Sequence, residues 1–551
     1  MRSFGAAVSR LARRTLVLME TRWGVAAVFL VALGVWWLQA YAIPLTAGRD
    51  FNTYIGAYAQ LFHSDPIDLG YVLGRTPVAP LVAGVLLDVA GGTLAEPAVS
   101  LLYALSVTAW FLAARRFGAL PALVTTSVLL AFPSYGILFH ELSSDVVFAA
   151  AFAGWSLLAV RVLLAPSSAG FALLGAGVGI LALVRPSNQT LVVLALVVLL
   201  LPVAWPRRLG WAAAFVVPAV ALLAAWTVHN GLRYGDYAVS RAGNANVPFY
   251  RVFIVDRIVR PDNGPSSRAL AAAVKHDLIP EEPYRSYRVT YDEFFSEPTP
   301  RMWADLMALS DARWGWHTDH RILRDVALEA IRTHPLDYAG GVTETTWELL
   351  YQPLFRVLGD PGGRAEGDVP RRNGGDGDGE TVVIGGRRLP KPTEGEAIPS
   401  AHESAVTTPD GSIRTVWTSP TEHHLAFDHP GDEERYLALR WRMREFGDRL
   451  PDRSGNATLA LRLNQASRWY LPPLLFLVVG AVGLLVRRPR NALALAAPTL
   501  AGLVVIVFSA LGLPAVPHYS VPVAPAFVLL AAGALFGPRR KSPGPIPEQV
   551  A

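Results

Sequence analysis

Apolar residues fall in blocks along this chain. Residues 24–43, 97–114, 119–139, 146–165, 169–184, 190–204 and 210–228 are almost free of charge, as are 471–486, 491–513 and 519–537. Each block has the composition of a membrane-crossing helix, although several fall short of the roughly 20 residues of a perpendicular span. The pattern predicts an all-α polytopic membrane protein with ten spans. Seven precede and three follow a long polar insert, residues 229–470.

Between the blocks, shorter periodicities predict further elements. In the loop of residues 44–96, Phe51, Tyr54, Ile55, Tyr58, Leu61 and Phe62 recur at helical spacing, as expected of an amphipathic helix along the membrane surface. Val78 to Val89 is apolar but interrupted by Pro80 and Gly84 and follows Pro77, so it reads as an interfacial or re-entrant piece. Inside the insert, residues 321–332 have the 3.6-residue pattern of an amphipathic helix stopped by His334 and Pro335, and a second helix runs from Tyr338 through Trp347, Leu350 and Tyr351. Residues 359–400 are rich in Gly, Asp, Glu, Arg and Pro and read as a flexible linker. Residues 402–449 form a mixed segment that could pack on the first part of the insert, and residues 539–551 a basic tail. No internal repeat emerges, and the seven-plus-three division disfavours an inverted-repeat transporter.

Composition agrees with a membrane location. The 551 residues are 52% hydrophobic and 17% charged, with a mean hydropathy of +0.33, which is wrong for a water-soluble enzyme. Arg2, Arg10, Arg13, Arg14 and Arg22 precede the first block, which predicts a cytoplasmic N-terminus. With ten alternating spans, Arg115, Arg116, Arg161, Arg207, Arg208, Arg487, Arg488, Arg490, Arg539, Arg540 and Lys541 all fall on that side. These clusters account for most of the net charge of +5, so the basic balance is no argument for a nucleic-acid partner. The first block runs into Trp36, Trp37 and Tyr41 without a small-residue cleavage site and reads as a retained helix, not a signal peptide. Cysteine is absent, which excludes disulfides and thiol chemistry.

The polar residues at the predicted outer ends of the spans carry the candidate chemistry. Asp50, just after the first span, could accept a proton from an incoming hydroxyl, or could be a loop aspartate facing water. Glu141 and Asp145 sit in a short loop, where Asp145 could cap the next helix, hold an acceptor, or bind a divalent cation with His140 as a third ligand. Arg185 lies between two apolar blocks; it could snorkel to the surface or bind the phosphate of a lipid-linked donor. After the seventh span, in residues 226–237, His229 and Arg233 are four residues apart and can share a helix face toward a phosphate, with Asn230, Tyr234 and Tyr237 adding hydrogen-bond donors; the alternative is a juxtamembrane aromatic and basic belt. His518 and Tyr519 lie at the entrance to the last span, among prolines that reshape it.

In this order, the motifs resemble the GT-C superfamily of polyprenyl-phosphate-dependent glycosyltransferases, in the branch of aminoarabinose transferases and protein O-mannosyltransferase-like enzymes. The resemblance runs from the first span to about residue 350 and is looser beyond. It implies a GT-C fold with juxtamembrane helices and an inverting transfer of sugar from a polyprenyl-phosphate donor to a hydroxyl of a cell-envelope glycan, lipid or protein. The setting implied is the outer face of a bacterial plasma membrane, among its lipids. Asp50 stands where the family has its catalytic base, and Asp145, ahead of Glu141, where it has an acidic residue in a short external loop. The family pattern after the seventh helix begins with Arg-Asn; here His229 replaces the arginine, which makes Arg233, with Arg185, the carried-over phosphate ligand. The family's late Arg-Tyr pair has His518 and Tyr519 in its place. Members differ in metal use, so a divalent cation is carried over without ligands. Two rivals use the same residues otherwise: an O-antigen-ligase-like transferase, which leaves Asp50 without a central role, and a membrane transporter of a lipid-linked or sugar substrate. An inactive scaffold that only binds is a third.

Overall fold

The computed structural model describes residues 15–351, 381–384, 387–390, 408–417 and 423–538, apart from positions 64, 242, 452, 469 and 490. Most of the expected linker at 359–400, the C-terminal tail and the arginines before residue 15 lie outside the described residues. Within that linker, Thr381–Ile384 pairs antiparallel with Arg387–Pro390. A β-branched Thr-Val-Val-Ile run followed by Gly-Gly suits such a hairpin.

Every apolar block is helical, but the helices are unequal. Arg22–Ala42, Val78–Arg115, Ser144–Leu164, Trp205–Tyr234 and Ala492–Ala510 are each long and apolar enough to cross a membrane. Ala119–Leu130 and Pro133–His140 qualify together, bent by 69° where Pro133 starts the second piece. Ser168–Val184, Pro186–Leu199, Pro473–Arg487 and Ala524–Phe536 are shorter apolar helices. The described residues therefore hold five or six helices of spanning length where ten blocks were expected.

One boundary moved substantially. Val78–Arg115 is helical on both sides of a kink, 38 residues in all. The piece expected to be re-entrant is its first part, and the break comes at Gly91, whose φ of 58° and ψ of −169° only glycine adopts readily. Elsewhere glycine allows close approach: Gly175 and Gly179 form a small-xxx-small step on Ser168–Val184, and a Cβ at Gly179 would lie 2.8 Å from Leu222 on Trp205–Tyr234.

Two hydrophobic cores are present. One unites the membrane helices with Phe51–Gln60 and part of Asp432–Asp448. The other fills the insert, where Arg321–Thr333 buries Leu323, Val326, Ala327 and Ala330 at the spacing its sequence predicts and ends at His334. Fully buried Arg251 joins them. It donates to Asp256 at 2.8 Å, to Thr345 at 2.7 Å and to the Leu513 carbonyl at 3.2 Å, tying the insert to the loop before the last helix. The segment after the hairpin Ile413–Trp417/His423–Phe427 is fastened to the other end of the chain by Arg435–Asp65, Arg449–Asp88 and Arg453–Glu96 pairs at 2.7–2.8 Å.

Candidate active site

A cavity of about 2250 Å³ opens at one end of the helix bundle and extends into the insert. Its bundle end is built by stitching two short loops together. Thr46–Ala47 and Glu141–Leu142 form a two-residue parallel bridge. Immediately after it, Gly48 lies so close to the second loop that a Cβ would be 2.9 Å from the Cβ atoms of Glu141 and Ser143. The Tyr54 hydroxyl, one helical turn further on, donates to Ser144 Oγ at 2.9 Å. Burial raises the pKa of Tyr54, partly offset by Arg75, so it remains a neutral donor.

This stitching brings Asp50 and Asp145 to one cavity, each with its own arginine. Asp50 begins Phe51–Gln60 in the left-handed conformation, φ 59°, which aspartate tolerates better than most residues. Its carboxylate pairs with Arg75 at 3.1 Å, with both side chains partly exposed. Burial works against the charge of Arg75, but Asp50 and Tyr54 more than offset it and hold the guanidinium above its ordinary range. Asp145 is buried in the first turn of Ser144–Leu164, where Ser143 caps the helix, and it pairs with Arg185. Arg185 also donates to Ser144 Oγ at 3.1 Å and to the His518 carbonyl at 3.3 Å, and lies over the rings of Phe148 and Tyr519 at 5.3 and 5.7 Å.

Glu141 does not line the cavity; it is buried behind it, 3.6 Å from His518 Nε2. His140 stacks on Trp36 with ring centroids 4.5 Å apart, a packing role and not a ligand's position. Of the third expected cluster, Tyr237 lines the cavity, while His229, Arg233 and Tyr234 do not. His229 stacks on Trp226, Arg233 donates to the His63 carbonyl at 2.9 Å and Tyr234 to the Leu61 carbonyl at 3.4 Å. Arg233 and Tyr234 thus meet the loop after Phe51–Gln60. Asp236, beside Tyr237, also lines the cavity.

No family model matches this chain, and no curated protein matches it. Among solved structures it is similar to ArnT from Cupriavidus metallidurans, in a crystal structure bound to undecaprenyl phosphate and in one of the apo state. Both are 15% identical; the alignments cover 94% and 93% of this chain and 78% and 77% of those chains, with TM-scores of 0.32 and 0.31.

Several cavity residues were not singled out in the sequence. Arg49 and Arg75 join Arg185 at the bundle end, and the insert end centres on Arg241. Arg241 forks onto Asp311 at 2.7 and 3.1 Å, lies 3.4 Å over Trp316, and donates to the Trp316 carbonyl at 3.0 Å. It also donates to His320 Nε2 at 2.8 Å, which requires the proton of the neutral imidazole to be on Nδ1. Burial and Arg241 lower the pKa of His320 to about 3. Burial, with Asp319 adding to it, raises that of Asp236.

Proposed function

We propose that this chain transfers a sugar from a polyprenyl-phosphate donor to a hydroxyl of a cell-envelope glycan, lipid or protein, on the extracytoplasmic side of the plasma membrane. One observation carries the reading: Arg49, Arg75 and Arg185 share the bundle end of a large cavity with Asp50 and Asp145. These guanidinium groups and carboxylates gather where apolar helices end. A phosphate on a long apolar tail suits such a place, its tail among the helices and its headgroup on planar five-donor cations.

In this reading the acceptor hydroxyl gives its proton to Asp50 while its oxygen attacks the anomeric carbon. The bond from that carbon to the phosphate oxygen breaks, the electron pair leaves with the phosphate, and the configuration inverts. Arg75 and Arg185 stabilise the extra charge on the departing phosphate, from fixed positions that need no rearrangement during the step. Asp145 holds Arg185 in place. Arg233, engaged outside the cavity, gives up its expected phosphate role to Arg75 and Arg49. A divalent cation fits poorly: Asp50 and Asp145 already face arginines, and among the described residues no three His, Cys, Asp or Glu side chains gather as metal ligands. No step is routed through one.

The test is release of free polyprenyl phosphate by the purified protein in lipid, offered short-chain polyprenyl-phosphate sugars and native membrane acceptors. Asp50→Asn suits it because asparagine keeps both the left-handed backbone and the shape. Release should fall by roughly 10²–10⁴-fold with donor binding retained. Undiminished release in the variant removes Asp50 from the mechanism, and no release by the wild type across an adequate donor panel removes the transferase reading.

A further inference from the structure

Building on the transferase reading, we propose that Ser144 gives its hydroxyl hydrogen to the phosphate of the polyprenyl-phosphate substrate, and that Tyr54 is the positioning residue that turns this hydrogen toward the cavity. A serine hydroxyl has one hydrogen to give and two lone pairs that accept. Ser144 Oγ accepts from the Tyr54 hydroxyl at 2.9 Å and from Arg185 Nε at 3.1 Å, so both lone pairs are taken. A guanidinium can only donate, and Tyr54, kept protonated by its burial, commits its own hydrogen to Ser144. Among the described residues nothing accepts the hydrogen of Ser144. The residue is only 5% exposed, and a buried hydroxyl rarely leaves its hydrogen unused. The side of Ser144 left open to it is the cavity, next to the guanidinium of Arg185.

A phosphate suits that place. An oxygen bound at Arg185 is a neighbour of Ser144, because the same guanidinium is hydrogen-bonded to Oγ. A guanidinium attracts an anion over a range of angles, whereas a hydroxyl with both lone pairs filled offers its hydrogen in one direction and so orients the headgroup. From Tyr54 through Ser144 to the phosphate, each hydroxyl accepts on one side and gives on the other, an alignment that strengthens the last bond. Charge grows on the phosphate oxygens as the bond to the anomeric carbon breaks, and a hydrogen already aimed there stabilises it without rearrangement. Tyr54 lies one helical turn beyond Asp50, so the same chain ties the phosphate to the segment that carries the proposed base.

The test is the affinity of the full chain, in lipid nanodiscs, for a short-chain polyprenyl phosphate and for the polyprenol of equal length, measured by calorimetry. Ser144→Ala should weaken binding of the phosphate by at least roughly tenfold and leave the alcohol unchanged. Tyr54→Phe keeps the hydrogen but no longer fixes it, and should weaken the phosphate by a few-fold. The double variant Tyr54→Phe/Ser144→Ala separates contact from structure. Ser144→Ala leaves the Tyr54 hydroxyl without its acceptor; the double variant removes that hydroxyl, so its Tm should recover while its phosphate affinity stays at the level of Ser144→Ala. It also keeps the test available if Ser144→Ala does not fold. Both variants free the Nε–H of Arg185, a change that favours phosphate and so opposes the expected loss. Affinity that recovers together with Tm, or an alcohol weakened as much as the phosphate, would make Ser144 a structural acceptor and overturn the proposal. Unchanged phosphate affinity in Ser144→Ala would overturn it as well, with the transferase reading intact. A wild type that binds the phosphate no better than the alcohol would sink that reading, and the role of Ser144 with it.

Discussion

Arg185 and Asp145 make opposite demands when either is removed. Asp145 is buried with Arg185 as its ion-pair partner, whereas Arg185 has further acceptors in Ser144 Oγ and the His518 carbonyl and two aromatic faces besides. Arg185→Met would leave a buried carboxylate without its counter-charge, at a cost of about 3–5 kcal/mol. Asp145→Asn leaves a guanidinium that keeps its other partners and can lean toward the cavity, at about 1–3 kcal/mol. The double variant has no orphaned charge and should cost about as much as Asp145→Asn alone, well below the sum of the two. Unfolding in mixed micelles of increasing denaturing-detergent fraction, followed by tryptophan fluorescence, gives all four corners of the cycle. Additive costs, or an Arg185→Met variant no less stable than Asp145→Asn, would show that this pair is not a coupled buried unit.

Other perturbations reach different parts of the site. Gly48→Ala should strain the contact between the two stitched loops by about 1–3 kcal/mol and lower turnover with it, because a Cβ there lies 2.9 Å from Glu141 and Ser143; unchanged stability and turnover would show that the loops yield freely. Arg75→Met should raise the KM for a polyprenyl-phosphate donor more than it lowers kcat if Arg75 binds phosphate in the ground state, and steady-state kinetics separates the two. His320, ordinarily near 6.5 and lowered to about 3 by burial and Arg241, gives a pH dependence of known sign. Below pH 6.5 the unfolded chain takes up a proton that the folded insert refuses, so stability present at neutral pH should fall toward pH 3, by at most about 1.4 kcal/mol per unit. His320→Gln keeps an acceptor for Arg241 and cannot titrate; hydrogen exchange of insert peptides at pH 7.5 and 5 should show a shallower loss in that variant, and an identical loss would clear His320 of the effect.

Much of this structure was legible where one segment decides its own fate. The apolar blocks became helices because their composition suits them to lipid, and Arg321–Thr333 formed as read because a 3.6-residue period has a single way to bury four residues. Asp50, Asp145 and Arg185 stood out for a related reason: charge at the end of an apolar segment is costly unless something receives it. What could not be read was which charge receives which. Arg75 lies in a stretch whose boundaries were misplaced, since the long helix of Val78–Arg115 hid its break at Gly91 inside an apolar run. Arg233 and Tyr234 were placed correctly on their helix, but the loop they meet could not be foreseen.

The site itself depends on contacts with almost no sequence trace. A two-residue bridge between positions 46–47 and 141–142 is too short to have a period, and the surrounding residues pair through single side chains. Gly48 is the nearest thing to a signal, a glycine needed because another loop's side chains occupy the space of its Cβ. This arrangement has a physical logic. Apolar helices fix the positions of their own ends, so short loops anchored on those ends can hold charges at defined separations without a rigid sheet beneath them. The cost is that each charge must be neutralised locally before any ligand arrives, which is what the Asp50–Arg75 and Asp145–Arg185 pairs do. An incoming phosphate must therefore compete with a carboxylate for the guanidinium groups of Arg75 and Arg185.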